Sequence, residues 1–153
     1  VDGLVQCVGG FTMSDDFLTS TPEDFEKMMT LNLKTTETLC RAVLPMIGRH
    51  GSIVTVGAGA ALAPARGMGA YAASKAALIT LTKTLATEMR ANRVRVNCIL
   101  PSIIDTPENR KAMPKADPAE WITPAAIAET ICFLLSDRAR PVTGALIPVD
   151  LPD

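Results

Sequence analysis

The sequence predicts an α/β domain built on four parallel strands, each joined to the next through a helix. Three observations carry this. Short β-branched runs alternate with helical patterns along the whole chain, as expected of strands that are covered on their faces by helices. The strand runs stop at glycines, small residues or proline: Gly9-Gly10, Gly57-Ala-Gly59 and Pro101. Two helices announce their starts with Thr-Pro pairs, Thr21-Pro22 and Thr123-Pro124, placing threonine at the N-cap and proline at the first helical position. No repeat, linker or shift in composition divides the chain, so residues 1–153 read as one domain large enough to bury a core.

Taken in order, Leu4-Val-Gln-Cys-Val8 is the first strand. It opens the chain with no preceding cap and reads as an interior strand. A polar loop follows to Ser20. From Thr21 the apolar positions Phe25, Met28, Met29, Leu39, Cys40, Val43, Leu44 and Ile47 form a helical stripe, which Pro45 should end or kink. His50 beside Gly51 marks a surface turn. Ser52-Ile-Val-Thr-Val56 begins the second strand, which runs to near Ala58 before a Gly/Ala/Pro loop. An alanine-rich helix from Ala70 to Arg90 buries Leu78, Leu81 and Leu85, and Val94 to Leu100 forms the third strand, closed by Pro101. Between Ser102 and Trp121 no period is visible, and structureless stretches of that length are usually functional or disordered. The helix from Pro124 runs to about Leu135, and after the turn at Pro141 to Gly144 the last strand spans Ala145 to Val149.

Composition excludes several classes. The formal net charge is −1 and the basic residues are scattered, which argues against nucleic-acid partners. No apolar run reaches membrane-spanning length and no charged-then-apolar leader opens the chain. Cys7, Cys40, Cys98 and Cys132 lie far apart inside apolar elements without metal-ligand spacing, so buried free thiols in a reducing cytoplasm are expected and no metal site is.

The chemistry concentrates in Tyr71-Ala-Ala-Ser-Lys75. Four residues apart on a helix, the phenol and the ammonium share one face. A nearby cation lowers a phenol's pKa, fitting Tyr71 to donate a proton near neutrality. Alone, such a pair is most often chance spacing on a solvated helix. Here the helix follows a strand and precedes another, and ligands in such sheets sit at the strands' carboxyl ends, where Tyr71 lies. Asn32 falls on the buried side of its helix among methionines. From the residues alone it is either a locally satisfied core amide, the more ordinary reading, or a functional group.

These residues resemble the short-chain dehydrogenase/reductase family over essentially the whole chain. Tyr71 and Lys75 fall on the family's catalytic Tyr-x-x-x-Lys, Asn32 on its proton-relay asparagine, and Gly9 on the end of its Asn-Asn-Ala-Gly motif, here Gln6-Cys-Val-Gly9. Pro101-Ser-Ile-Ile-Asp-Thr106 falls on the segment that touches nicotinamide and pyrophosphate, and Thr143-Gly144 precedes the last strand as in the family. The resemblance implies NAD(P)H as cofactor. It implies catalysis by Tyr71, Lys75 and Asn32, with cofactor contacts from Gly9, Tyr71, Lys75, Pro101, Ile104 and Thr106. It also implies a small-molecule substrate and a homo-oligomer formed through the helices starting at Pro22 and Ala70.

Two departures shape the expected function. Ala58 stands where the family has a catalytic serine. Within the fold family, dihydropteridine reductase-like members also lack that serine, and the run Gly57 to Leu62, the segment Asp105 to Pro114 and the pair Gly9-Gly10 resemble that branch. The glycine-rich pyrophosphate turn is absent. The resemblance therefore implies the C-terminal half of a Rossmann-like doubly wound sheet, four strands and three helices, without the N-terminal dinucleotide-binding strands. Two classes of function follow: part of a nicotinamide-dependent reductase acting on a quinonoid pterin-like or other conjugated substrate, inactive as this chain alone, or an inactive truncated product serving as an oligomeric binding module.

Overall fold

In the computed structural model, which describes residues 1–151, the four apolar runs pair side by side in chain order as one parallel sheet. They are β1 (Gly3–Gln6), β2 (Ser52–Val56), β3 (Arg95–Pro101) and β4 (Leu146–Val149). Leu4 stands opposite Ile53, Val54 opposite Asn97 and Ile99 opposite Ile147. Parallel pairing requires a long crossover at every step. The first comprises α1 (Pro22–Met29) and α2 (Thr35–Val43), and the second is α3 (Gly69–Glu88). The third contains α4 (Pro107–Ala112) and α5 (Pro124–Leu135).

Alternation along the strands assigns the two faces. Ile53 and Val96 pack with Cys40, Leu85 and Ala86 on the side of α2 and α3. Their neighbours Val54 and Ile99 pack with Ile127 and Leu134 on the side of α5. Both faces of β2 and β3 are therefore covered, with Thr55 and Asn97 buried among the apolar residues of the two strands. The sheet is doubly wound, as the sequence predicts. Thr55 and Thr82 hydroxyls meet at 2.9 Å and tie the middle of α3 to β2.

The first crossover begins with a reciprocal capping box. Asp24 N–H donates to Thr21 Oγ1 at 3.1 Å, while Thr21 N–H donates to Asp24 Oδ2 at 3.2 Å. Between α1 and α2 the helix widens into a π turn over Thr30–Lys34. Two threonine hydroxyls bond carbonyls in this stretch: Thr35 Oγ1 to Leu31 O at 2.6 Å and Thr36 Oγ1 to Asn32 O at 3.3 Å. Such bulges cluster at functional sites, and this one carries Asn32. The helix stops at Val43, and Pro45 sits in a 3₁₀ turn as its missing N–H requires.

Two expectations are corrected. The stretch from Ser102 to Trp121 is ordered by local bonds. Thr106 caps the six-residue α4, Asp105 holds Arg110 through two contacts of 2.6 and 2.8 Å, and Asp117 caps a further 3₁₀ turn. A helix of that length is too short to display a period. Cys40 and Cys98 are buried thiols, but Cys7 and Cys132 are exposed. β1 already ends at Gln6, and Cys132 lies on the outer side of α5. His50 is exposed at its turn, with a left-handed φ of 74°. Among the described residues β1 pairs only with β2, and no helix is long and apolar enough to cross a membrane.

Candidate functional site

The carboxyl ends of β1, β2 and β3 and one face of α3 enclose a cleft of about 260 Å³. Gly9, Gly10 and Phe11 come from beyond β1, Gly57 and Ala58 from beyond β2, and Pro101, Ser102 and Ile104 from the end of β3. Tyr71 and Lys75 close it from α3. A larger hollow of about 330 Å³ lies at the opposite end of the sheet among Arg90, Arg93, Arg95 and Arg140. There the Arg95 guanidinium is engaged with the carbonyls of Leu134, Leu135 and Ser136 at the end of α5, and Arg140 pairs with Asp137. Cations at helix ends offset the macrodipole, so the reactive groups point to the smaller cleft.

Lys75 is 5 % exposed, and its Nζ donates to Val56 O at 2.8 Å. Burial lowers the ammonium's pKa below its ordinary value, opposed by the Cys98 thiol nearby. Three N–H donors with one acceptor among the described residues leave two for a ligand in the cleft. Tyr71 is flanked by Phe11, whose ring meets the phenol edge-on with centroids 4.9 Å apart. The sequence expectation that Lys75 holds this phenol low is not met: burial pushes the Tyr71 pKa up. The physical reason is desolvation: burial of the phenol disfavours the phenolate, with no offsetting contribution from Lys75.

Asn32 is wholly buried and holds both polar groups of one residue across from it. Gly10 N–H donates to its Oδ1 at 2.8 Å, and its Nδ2 donates to Gly10 O at 3.0 Å and to Ser74 Oγ at 2.9 Å. Nδ2 also lies 3.7 Å from Met28 Sδ. Asn32 thus stands behind the cleft wall and fixes the turn that forms it. Gly9 separates it from Lys75: a methyl group there would stand 2.8 Å from Asn32 Oδ1 and 3.3 Å from Lys75 Nζ.

Ala58 presents a methyl group to the cleft on extended backbone. Among the lining residues only Tyr71 and Ser102 carry hydroxyls. Of the expected cofactor residues, Gly9, Tyr71, Lys75, Pro101 and Ile104 come together in this cleft. Thr106 does not line it, and its hydroxyl accepts from Asn109 N–H at the start of α4. Cys7 and Ser102 line the cleft from within segments 6–9 and 101–106, to which the resemblance points, whereas sequence reasoning missed Phe11 as a lining residue and Ser74 as Asn32's partner. Only Ser74 had a signal, a lone hydroxyl within an alanine run. The unspent Lys75 donors beside the cleft fit the ribose end of a nicotinamide nucleotide. The described residues offer no glycine-rich turn for its pyrophosphate.

A family model described as enoyl-(acyl carrier protein) reductase matches residues 1–151. The chain is similar to the 3-oxoacyl-[acyl-carrier-protein] reductase FabG of Thermotoga maritima, 35 % identical over 138 residues that cover 84 % of this chain and 56 % of the relative. It is 35 % identical over 147 residues to dehydrogenase/reductase SDR family member 4 of Bos taurus, covering 86 % of this chain and 52 % of that protein. The chain therefore spans about half the length of these curated relatives. Among solved structures, the angucycline C-6 ketoreductase LanV with bound NADP superposes with a TM-score of 0.85 at 29 % identity, over 97 % of this chain and 60 % of that one.

Proposed function

The chain belongs to the short-chain dehydrogenase/reductase family, and on that premise we propose that it carries the proton-donating, substrate-binding portion of a nicotinamide-dependent reductase. The observation that carries the reading is the convergence of Tyr71, Lys75 and the Asn32-held Gly9-Gly10 turn on one cleft. Lys75, with two free donors, would hold the nicotinamide ribose, and Gly9, Pro101 and Ile104 would flank the ring. A nicotinamide bound there supplies the hydride. Tyr71 delivers the proton from its phenol oxygen. Burial keeps that phenol protonated until a substrate draws the proton away. Phe11 stands edge-on beside the phenol.

Ala58 narrows the substrate class. Losing one donor that stabilises a developing oxyanion costs roughly 10²–10³ in rate, a heavy penalty for a simple ketone. A conjugated, readily reduced substrate such as a quinonoid dihydropterin depends less on that donor, and Phe11 offers an aromatic wall to a flat ring. The test joins this chain behind the dinucleotide-binding strands of the Thermotoga relative and compares turnover of quinonoid dihydropterin with that of simple ketones. Dihydropterin reduction is expected. Good ketone turnover with none of dihydropterin would overturn the substrate assignment.

Association through the helices starting at Pro22 and Ala70 belongs to the same proposal. The edge of β1, unpaired among the described residues and without lysine or proline in the strand, would be a second surface for association. Sedimentation should show a homo-oligomer at high micromolar protein, and a well-behaved monomer would refute this part.

A further inference from the structure

We infer that Ser74 is a positioning residue: it anchors the Asn32 amide, and through it the Gly9-Gly10 turn, to the helix that carries Tyr71 and Lys75. The inference rests on the proposed reductase reading for its kinetic consequence, though not for its geometry. Ser74 is wholly buried on α3, one residue before Lys75 and three after Tyr71. Its hydroxyl proton is given to Tyr71 O at 2.7 Å, one turn back. A hydroxyl has one proton and two lone pairs, so Ser74 Oγ meets Asn32 as an acceptor, 2.9 Å from Nδ2. Gly10 N–H requires an oxygen at the other end of the same amide, 2.8 Å away. Gly10 N–H and Gly10 O between them fix which way the amide faces, and Ser74 adds the third bond, the one that holds it to α3.

The residue type is otherwise hard to explain. Ser74 sits among Ala70, Ala72, Ala73, Ala76 and Ala77, and serine is a poorer helix former than alanine because its hydroxyl competes for the backbone. Alanine would fill nearly the same volume in this buried position. What alanine lacks is an acceptor for Asn32. The consequence reaches the cleft because only Gly9, with no side chain, separates Asn32 Oδ1 from Lys75 Nζ. Without Ser74 the amide keeps its Gly10 bonds but loses the contact that ties the π turn at Thr30–Lys34 to the helix of Tyr71 and Lys75.

Hydrogen exchange read by NMR on this chain tests the geometry without any turnover. The Asn32 side-chain amide protons should exchange slowly, and Ser74→Ala should speed them about tenfold, the worth of one hydrogen bond, with the Gly10 amide resonance displaced. Ser74→Thr and Ser74→Val share a shape and differ in the hydroxyl, so Thr should keep the protection and Val should lose it, whatever overpacking both suffer. In the chain joined to the relative's strands, Ser74→Ala should lower kcat and raise KM for the cofactor, which Gly9 and Lys75 would contact, and leave KM for substrate unchanged. Adding it to Asn32→Ala should cost nothing further, because the two act as one unit. Unchanged Asn32 exchange in Ser74→Ala, equal exchange in the Thr and Val variants, or additive losses in kcat would each overturn the inference. Absent turnover in the parent would instead count against the reductase reading, while the exchange comparison still decides the role of Ser74.

Discussion

Gly9→Ala and Gly59→Ala make the same chemical change at two points of the cleft region, with opposite expected outcomes. A methyl group at position 9 would stand 2.8 Å from Asn32 Oδ1 and 3.3 Å from Lys75 Nζ, whereas at position 59 it would meet nothing within 4 Å. Neither glycine has a left-handed φ, so backbone strain does not enter. Asn32 cannot yield easily, since its amide is held by Gly10 N, Gly10 O and Ser74 Oγ. Lys75 could swing away only by giving up its bond to Val56 O. Overpacking a fixed environment costs roughly 1–3 kcal/mol. For a chain of this size, 2 kcal/mol corresponds to a fall of about 4–8 °C in Tm. At Gly59, alanine reduces the freedom of the unfolded chain and should raise stability by about 0.4–1 kcal/mol. Thermal and urea unfolding of the three proteins, followed by circular dichroism, make the comparison. Equal Tm values for Gly9→Ala and the parent would show that the Gly9, Asn32 and Lys75 packing described here is wrong.

Three other outcomes are expected. Tyr71 is the chain's only tyrosine, so phenolate absorbance titrates it alone. Its midpoint should lie above the ordinary value because burial raises it. A raised folded pKa gives stability that is fully present below the unfolded tyrosine value, about 10, and is lost as pH rises through the folded one; a midpoint below the ordinary value would contradict this. Calorimetry should find that this chain alone binds NADPH weakly, with Kd above about 1 mM, since only the nicotinamide end has partners here; micromolar binding would reveal another phosphate site. Ala58→Ser, in the chain joined to the relative's strands, should raise ketone reduction by roughly 10²-fold and change dihydropterin reduction little, and no gain on ketones would remove Ala58 as the basis of the substrate assignment.

The fold was legible because parallel strands buried on both faces write themselves as short, mostly apolar β-branched runs, and because the caps at Thr21 and Thr123 are local chemistry. The π turn could not be read, since it falls at Thr30–Lys34, in the gap of the stripe between Met29 and Leu39, where no stripe position registers a change of phase. α4 was hidden by its brevity, and is held by the Asp105–Arg110 pair and the Thr106 cap rather than by a face. Within the site, Tyr71 and Lys75 follow from spacing, but their electrostatics do not. Which carbonyl receives the ammonium depends on where Val56 ends its strand. Asn32's partners come from residues 22 and 42 positions away, a separation no local pattern reports.

The most direct test of the central claim is the steady-state rate of NADPH-dependent quinonoid dihydropterin reduction by Tyr71→Phe, in the chain joined to the relative's dinucleotide-binding strands. Phenylalanine keeps the ring against Phe11 and removes only the phenol oxygen. The account predicts that kcat falls by about 10²-fold or more, with cofactor KM little changed because Lys75 keeps its two free donors. Turnover equal to that of the parent would contradict it, since the proton would then come from a group other than Tyr71.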